Sequence, residues 1–210
     1  MSVDYRGRYP ELAFRAGVWR EVARYIRGHV PPPTTVVELG AGYCDFINAF
    51  DAAERIAFDL NPEMARHAAP GVEFRTGDAS GVSELPRGSV DLVLASNFLE
   101  HLTLDALEAL MPEVRRVIRP GGHWAIVQPN FRLCPEHYFD DETHVTIFSD
   151  ESLAQLLLRH AFRMDRIEPR FLPFSMKSRL PKWPILVRGY LHSPIRPNAG
   201  QMYLLARRPS

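Results

Sequence analysis

Residues 36–42 read Val36-Val37-Glu38-Leu39-Gly40-Ala41-Gly42, a β-branched run that ends in an acidic residue and two spaced glycines. No other feature constrains the chain as much. The apolar run predicts a buried strand of a parallel sheet, and the glycines predict a sharp turn with backbone bare enough for a ligand to press against it. A second apolar run, Ile56-Ala57-Phe58, closes on Asp59 about twenty residues after the first, so the next strand delivers a carboxylate beside the turn.

Dinucleotide-binding oxidoreductases and S-adenosylmethionine (SAM) methyltransferases both use this arrangement, with the carboxylate on a ribose. A dinucleotide pyrophosphate asks for the third glycine of G-x-G-x-x-G, where helix and strand pack closely. Position 45 is instead Asp45, whose charge repels phosphate and is harmless to a sulfonium. Glu38 suits the cationic amino group of a methionine moiety. Here the chain resembles the class I SAM-dependent methyltransferases, whose first motif is usually written acidic-x-G-x-G-x-G. Cys44 replaces its last glycine, so the turn must accommodate a Cβ.

Further motifs carry the resemblance through residues 36–130. Thr76-Gly77-Asp78-Ala79 resembles the third-strand motif, whose acid or following N–H meets the adenine edge. Val90 to Asn97 resembles the fourth strand, and Ile118-Arg119-Pro120-Gly121-Gly122 the turn before the fifth. The implied cofactor contacts are Glu38, Gly40, Gly42, Asp59, Leu60, Asp78, Ala79, Asn97 and His101. From the residues alone, Asp59 could instead cap a helix beginning at Pro62, Asp78 could be a turn residue, and His101 could be bonded to backbone.

At 210 residues the chain has the length of one domain, expected to span 1–210, with 46% hydrophobic and 24% charged residues in balance. That composition excludes disordered and fibrous classes and gives no sign of a nucleic-acid partner. Asp4, Arg6, Arg8, Glu11 and Arg15 interrupt the first twenty residues, and no uncharged apolar stretch reaches membrane-spanning length, so a cytoplasmic location is expected. Cys44 and Cys134 read as free thiols. Pro169 to Ser210 contains 8 basic and no acidic residues, a tail suited to a solvated edge, an anionic substrate, a membrane surface or a partner.

Hydrophobic spacing predicts an amphipathic helix over 9–29, in a position where similar proteins cover the cofactor. Strands are expected at Val36–Leu39, Arg55–Leu60, Val72–Arg75, Val90–Ala95, His123–Gln128 and Arg163–Glu168, joined mostly by crossover helices. The clearest helix follows Thr103 and ends before Pro120, and a second is capped by Ser149. The resemblance adds Gln201–Arg207 as a reversed seventh strand. The fold class is α/β, a Rossmann-like seven-stranded mostly parallel sheet with helices on both faces. The proline-rich segment 169–197 is expected to be a lid or insertion, or a homo-oligomer contact.

After the fifth strand comes Glu136-His137-Tyr138-Phe139-Asp140-Asp141-Glu142-Thr143-His144, placed where the resemblance implies the acceptor pocket. Methyl transfer from a sulfonium is an in-line displacement helped chiefly by alignment, but a hydroxyl acceptor also benefits from a base. His144, then His137, are the candidate bases, with Asp140 or Asp141 as support or proton acceptor. These groups could equally form turn and cap bonds, and their carboxylates could hold Mg²⁺, although no spacing demands a metal. This segment and Phe171 to Lys177 resemble small bacterial methyltransferases of polysaccharide and cell-envelope glycan synthesis. That implies a saccharide hydroxyl as acceptor, with O- or N-methylation of a natural-product small molecule or a non-catalytic SAM-binding protein as the alternatives.

Overall fold

The computed structural model describes residues 14–173 and 183–210. Seven strands, β1 (Thr35–Leu39), β2 (Glu54–Asp59), β3 (Val72–Thr76), β4 (Val90–Ser96), β5 (Ile118–Pro129), β6 (Arg163–Glu168) and β7 (Gln201–Arg207), form one sheet in the order β3-β2-β1-β4-β5-β7-β6. Pairings from β3 through β5 are parallel, and β7 runs antiparallel to both β5 and β6. The expected reversed strand is therefore present. Strand order reverses between β1 and β4, so their carboxyl ends open the crevice in which ligands of such sheets bind.

Helices α1 (Arg15–Arg27) and α4 (Pro184–His192) cover one face, burying Trp19, Val22, Ile26, Val187 and Leu191 against Val36, Leu92 and Leu94. Helices α2 (Leu104–Val117) and α3 (Asp150–Arg159) cover the other, with Leu107, Val114, Leu153 and Leu157 against Val37, Val93 and Ile126. Alternate residues of each central strand thus feed opposite cores, which explains the continuous apolar runs. Both cores mix aliphatic with aromatic side chains, Trp124, Phe148 and Phe162 in one and Trp19, Phe46, Phe50 and Tyr203 in the other. Helix α2 starts at Thr103, whose hydroxyl accepts from Ala106 N, and α3 at Ser149, which forms a capping box with Ser152.

The connections differ from the expected crossover helices. After β1, β2 and β3 the chain makes only 3-10 turns, at Ile47–Ala49, Pro62–His67 and Ala79–Glu84. Left-handed Gly40, Gly42 and Cys44 interrupt helical geometry in the first connection, Pro62 and Pro70 bound the second, and Gly77 and Gly88 bound the third. Residues 9–13 of the expected first helix and 174–182 of the expected lid lie outside the described residues. Within 169–197, helix α4 packs on α1 while Trp183, Ile185 and Leu186 face outward.

Among the described residues of the basic tail, four arginines are engaged in internal contacts. Arg188 pairs with buried Glu21 at 2.8 Å, Arg196 with Glu168 at 2.5 Å, and Arg207 with Asp165 at 3.0 Å. Arg208 donates to the carbonyls of Arg115, Arg116 and Ile118 at the foot of the sheet. Among the described residues, no helix is long and apolar enough to cross a membrane.

Candidate active site

The turn after β1 is tied to β2 by its carboxylate. Asp59 Oδ2 accepts from Gly42 N at 2.7 Å and Oδ1 from Asn61 N at 2.8 Å. Each oxygen keeps a further lone pair, so the pair can still accept two ribose hydroxyls. The helix cap at Pro62 is Asn61, whose side chain accepts from Glu63 N. Gly40 and Gly42 both lie at positive φ, +67° and +48°, but serve different ends. A Cβ on Gly40 would sit 2.5 Å from Phe98 Cδ2, whereas one on Gly42 would meet nothing within 4 Å. Gly42 therefore leaves the open approach for a ligand, and Gly40 makes room for Phe98.

Cys44, at φ +57°, holds the third left-handed position with its side chain fully buried, and burial pushes its thiol up to about 12. Glu38 is buried beneath the turn and accepts from Ile47 N at 2.9 Å. It braces the turn from below. Burial, with the charges of Asp45 and Asp59 adding to it, raises the Glu38 carboxyl well above the ordinary carboxylate range. Asp45 is neutralised by Arg15 of α1 at 2.8 Å, so the expected phosphate-repelling charge is a clamp between α1 and the turn. A different feature disfavours a pyrophosphate: the turn leads into one 3-10 turn and offers no long helix N-terminus.

After β3, Asp78 caps the following turn by accepting from Ser80 N at 2.8 Å, and Ala79 begins that turn. Asp78 lines an open cavity of about 240 Å³ with Phe58, Thr76 and Gly77, next to the end of β2. Gly77 N donates to Asp59 O at 2.9 Å, which joins the second and third stations directly. Leu60 stands exposed beside them. At the end of β4, Asn97 adopts φ +47°, donates its N–H to Val127 O and accepts from Gln201 at 2.8 Å. It locks β4 to β5 and β7.

Beyond Asn97, a 3-10 turn at Leu99–His101 receives the segment that follows β5. Val145 N and Thr146 N both donate to Glu100 O, Thr146 Oγ1 donates to Leu102 O, and Tyr138 OH donates to Thr146 O. These bonds bring His144 against His101, with ring centroids 4.9 Å apart. His144 is buried, its Nδ1 is 2.5 Å from Tyr138 O, and its Nε2 is 3.9 Å from Glu100 Oε1. A carbonyl only accepts, so Nδ1 carries the proton and the Nε2 lone pair points towards Glu100. His101 Nδ1 donates to Thr143 O at 3.1 Å and lies 2.9 Å from Thr143 Oγ1.

The expected aspartate support for His144 takes another form. Asp140 pairs with His137 at 3.0 Å, both side chains exposed, while Asp141 accepts from Thr143 N and Thr143 Oγ1 in a local turn. The carboxyl facing His144 belongs to Glu100, which is fully buried and pushed up to about 8 by that burial. Sequence reasoning passed over Glu100. Its signal was an acid inside the apolar run Phe98-Leu99-Glu100, a placement that needs a partner or a purpose. Phe98, Thr143 and Arg15 were likewise missed, because each acts through a residue distant in sequence.

Residues 37–126, the stretch holding the glycine turn, Asp59, Asp78 and Asn97, match the family described as "Methyltransferase domain". That stretch of the chain is similar to methyltransferase domains. It is 29% identical over 187 residues to malonyl-[acyl-carrier protein] O-methyltransferase of Methylococcus capsulatus, covering 81% of this chain and 66% of that protein. It is 33% identical over 130 residues to trans-aconitate 2-methyltransferase of an Azoarcus species, covering 58% and 50%. The chain thus spans half to just under two thirds of the length of these curated relatives. A solved SAM-dependent methyltransferase from Archaeoglobus fulgidus superposes with a TM-score of 0.68 at 20% identity, covering 92% of this chain and 94% of that one. The fold is that of the class I SAM-dependent methyltransferases, and SAM is the cofactor it implies.

Two predictions concern the floor of the turn after β1. Gly40→Ala should destabilise by about 2 kcal/mol through left-handed strain and displacement of Phe98, and Gly42→Ala by only about 1 kcal/mol. Equal losses in urea unfolding would remove Phe98 as the obstacle. Glu38→Gln keeps an acceptor for Ile47 N but removes an ionisable group. Between the ordinary value of 4.5 and the raised folded value, the folded state holds a proton that the unfolded chain has lost. Wild-type stability therefore falls as pH rises through that window, by up to about 1.4 kcal/mol per pH unit. Unfolding at several pH values should show a flatter slope in Glu38→Gln, and an unchanged slope would mean that Glu38 titrates normally.

Proposed function

We propose that this chain transfers the methyl group of SAM to a hydroxyl oxygen of a small-molecule acceptor, with a saccharide as the acceptor class. SAM supplies an electrophilic methyl on a sulfonium; the chain aligns the acceptor, excludes water and takes the proton. The observation that carries this reading is His144, buried beside Glu100 with its Nδ1 proton fixed on Tyr138 O. A proton taken at Nε2 makes an imidazolium beside Glu100, whose carboxyl stabilises it in the ionised form that this positive charge itself favours. An acceptor already ionised at neutral pH would have little use for that pair. The O-methylating relative from Methylococcus supports an oxygen acceptor. Two unpaired cysteines support a cytoplasmic setting.

Exposed Phe139, Val145 and Ile147 on the same segment favour a second reading, an aromatic or apolar natural-product hydroxyl. Tritiated-methyl transfer from SAM across sugars, lipids and small phenols separates the two. Label in a sugar ether supports the first reading and label in a phenol ether the second. Label confined to amines would overturn both.

A further inference from the structure

Glu100, His101 and His144 each offer a ligand atom, and these atoms lie within 4.8 Å of one another. Glu100 is 0% exposed, and neither carboxyl oxygen has a hydrogen-bond partner among the described residues. A buried carboxyl without hydrogen bonds is costly, and such groups in proteins are paired or bind metal. The two imidazoles are arranged to match. His144 holds Nδ1 on Tyr138 O at 2.5 Å and His101 holds Nδ1 on Thr143 O at 3.1 Å, so each ring keeps its proton on Nδ1 and its lone pair on Nε2. Metal-bound histidines are oriented by the same kind of backbone contact to the far nitrogen.

We propose that Glu100, His101 and His144 form a three-ligand site for a divalent transition-metal ion of the zinc class. Two imidazole nitrogens and one carboxylate oxygen suit zinc and its neighbours, whereas magnesium prefers oxygen throughout. A tetrahedral ion bound at about 2.1 Å holds its ligand atoms about 3.4 Å apart. The 3.9 Å between His144 Nε2 and Glu100 Oε1 therefore closes by about half an ångström on binding. The site departs from the expected metal position, since Asp140 is bonded to exposed His137 and Asp141 to Thr143. One consequence rests on the proposed function: an ion takes the Nε2 lone pair that proton removal needs, so occupancy and the His144 base role exclude each other.

The test uses the full chain, stripped with a chelator and titrated with Zn²⁺ by calorimetry and with Co²⁺ by visible absorption. One ion should bind per chain. Glu100→Gln and His101→Ala should each weaken binding at least about tenfold, and His160→Ala, at a separate surface pair with Glu108, should not. Thermal melts establish that the variants fold, and the wild-type titration stands without them. Failure of folded wild-type protein to bind Zn²⁺ stoichiometrically would overturn the site, as would binding indifferent to both substitutions. Turnover distinguishes the two proposals. A stripped enzyme that is active and inhibited by Zn²⁺ supports both, whereas an inactive stripped enzyme restored by Zn²⁺ keeps the site and overturns His144 as base.

Discussion

His144→Ala should lower the rate of methyl transfer by about 10²- to 10⁴-fold while SAM affinity stays within about twofold of wild type. The asymmetry follows from position. His144 sits on the segment after β5, held to the turn after β4 by the bonds of Val145, Thr146 and Tyr138, and of the expected cofactor contacts its ring packs on His101. Glu100→Gln should slow transfer less, because a neutral amide still packs beside the imidazole but cannot stabilise its cation. His137→Ala should leave the rate near wild type, since that ring is exposed and bonded to Asp140. Single-turnover transfer of labelled methyl checks all three. Near-normal turnover in His144→Ala would move the base to His101 or show that alignment alone suffices.

Asp59→Ala should show the opposite pattern, weakening SAM by roughly 2 to 3 kcal/mol and affecting the chemical step little once SAM is saturating. The loss has two sources. The carboxylate can accept ribose hydroxyls through its remaining lone pairs, and it also anchors Gly42 N at 2.7 Å and Asn61 N at 2.8 Å. Without it, the glycine that leaves space for a ligand at this turn loses its fixed position, so preorganisation falls along with direct contact. Calorimetry of SAM and of its demethylated product should report the same loss, since ribose is common to both. Wild-type affinity in folded Asp59→Ala would detach Asp59 from the cofactor.

The strands were legible because β-branched runs buried on both faces leave few other ways to satisfy the backbone. Bounds at β6 and β7 coincide with the expected ones, β1, β3 and β4 shift by a residue at one end and β2 at both, while β5 begins at Ile118 and so takes in the turn expected at Ile118–Gly122. The connections were less legible. Apolar spacing in 40–89 suited helices, but left-handed glycines, Cys44 and the prolines restrict the chain to single 3-10 turns. The candidate cofactor residues could be picked out because they follow strand ends in a fixed order. The acceptor side was readable only in part: His144 could be singled out by residue type, while its partner Glu100 lies 44 positions earlier and meets it only through the tertiary fold. Neighbours in sequence, Asp140 and Asp141, were the natural guess, yet short-range geometry commits them to His137 and Thr143.

Equilibrium binding of SAM, S-adenosylhomocysteine and NAD to the wild-type chain decides whether this turn is built for SAM. The open face of Gly42, the Asp59 carboxylate and the missing helix N-terminus after the turn predict one SAM or S-adenosylhomocysteine per chain and no measurable NAD binding. Binding of NAD in competition with SAM, or failure of folded protein to bind SAM at all, would contradict it.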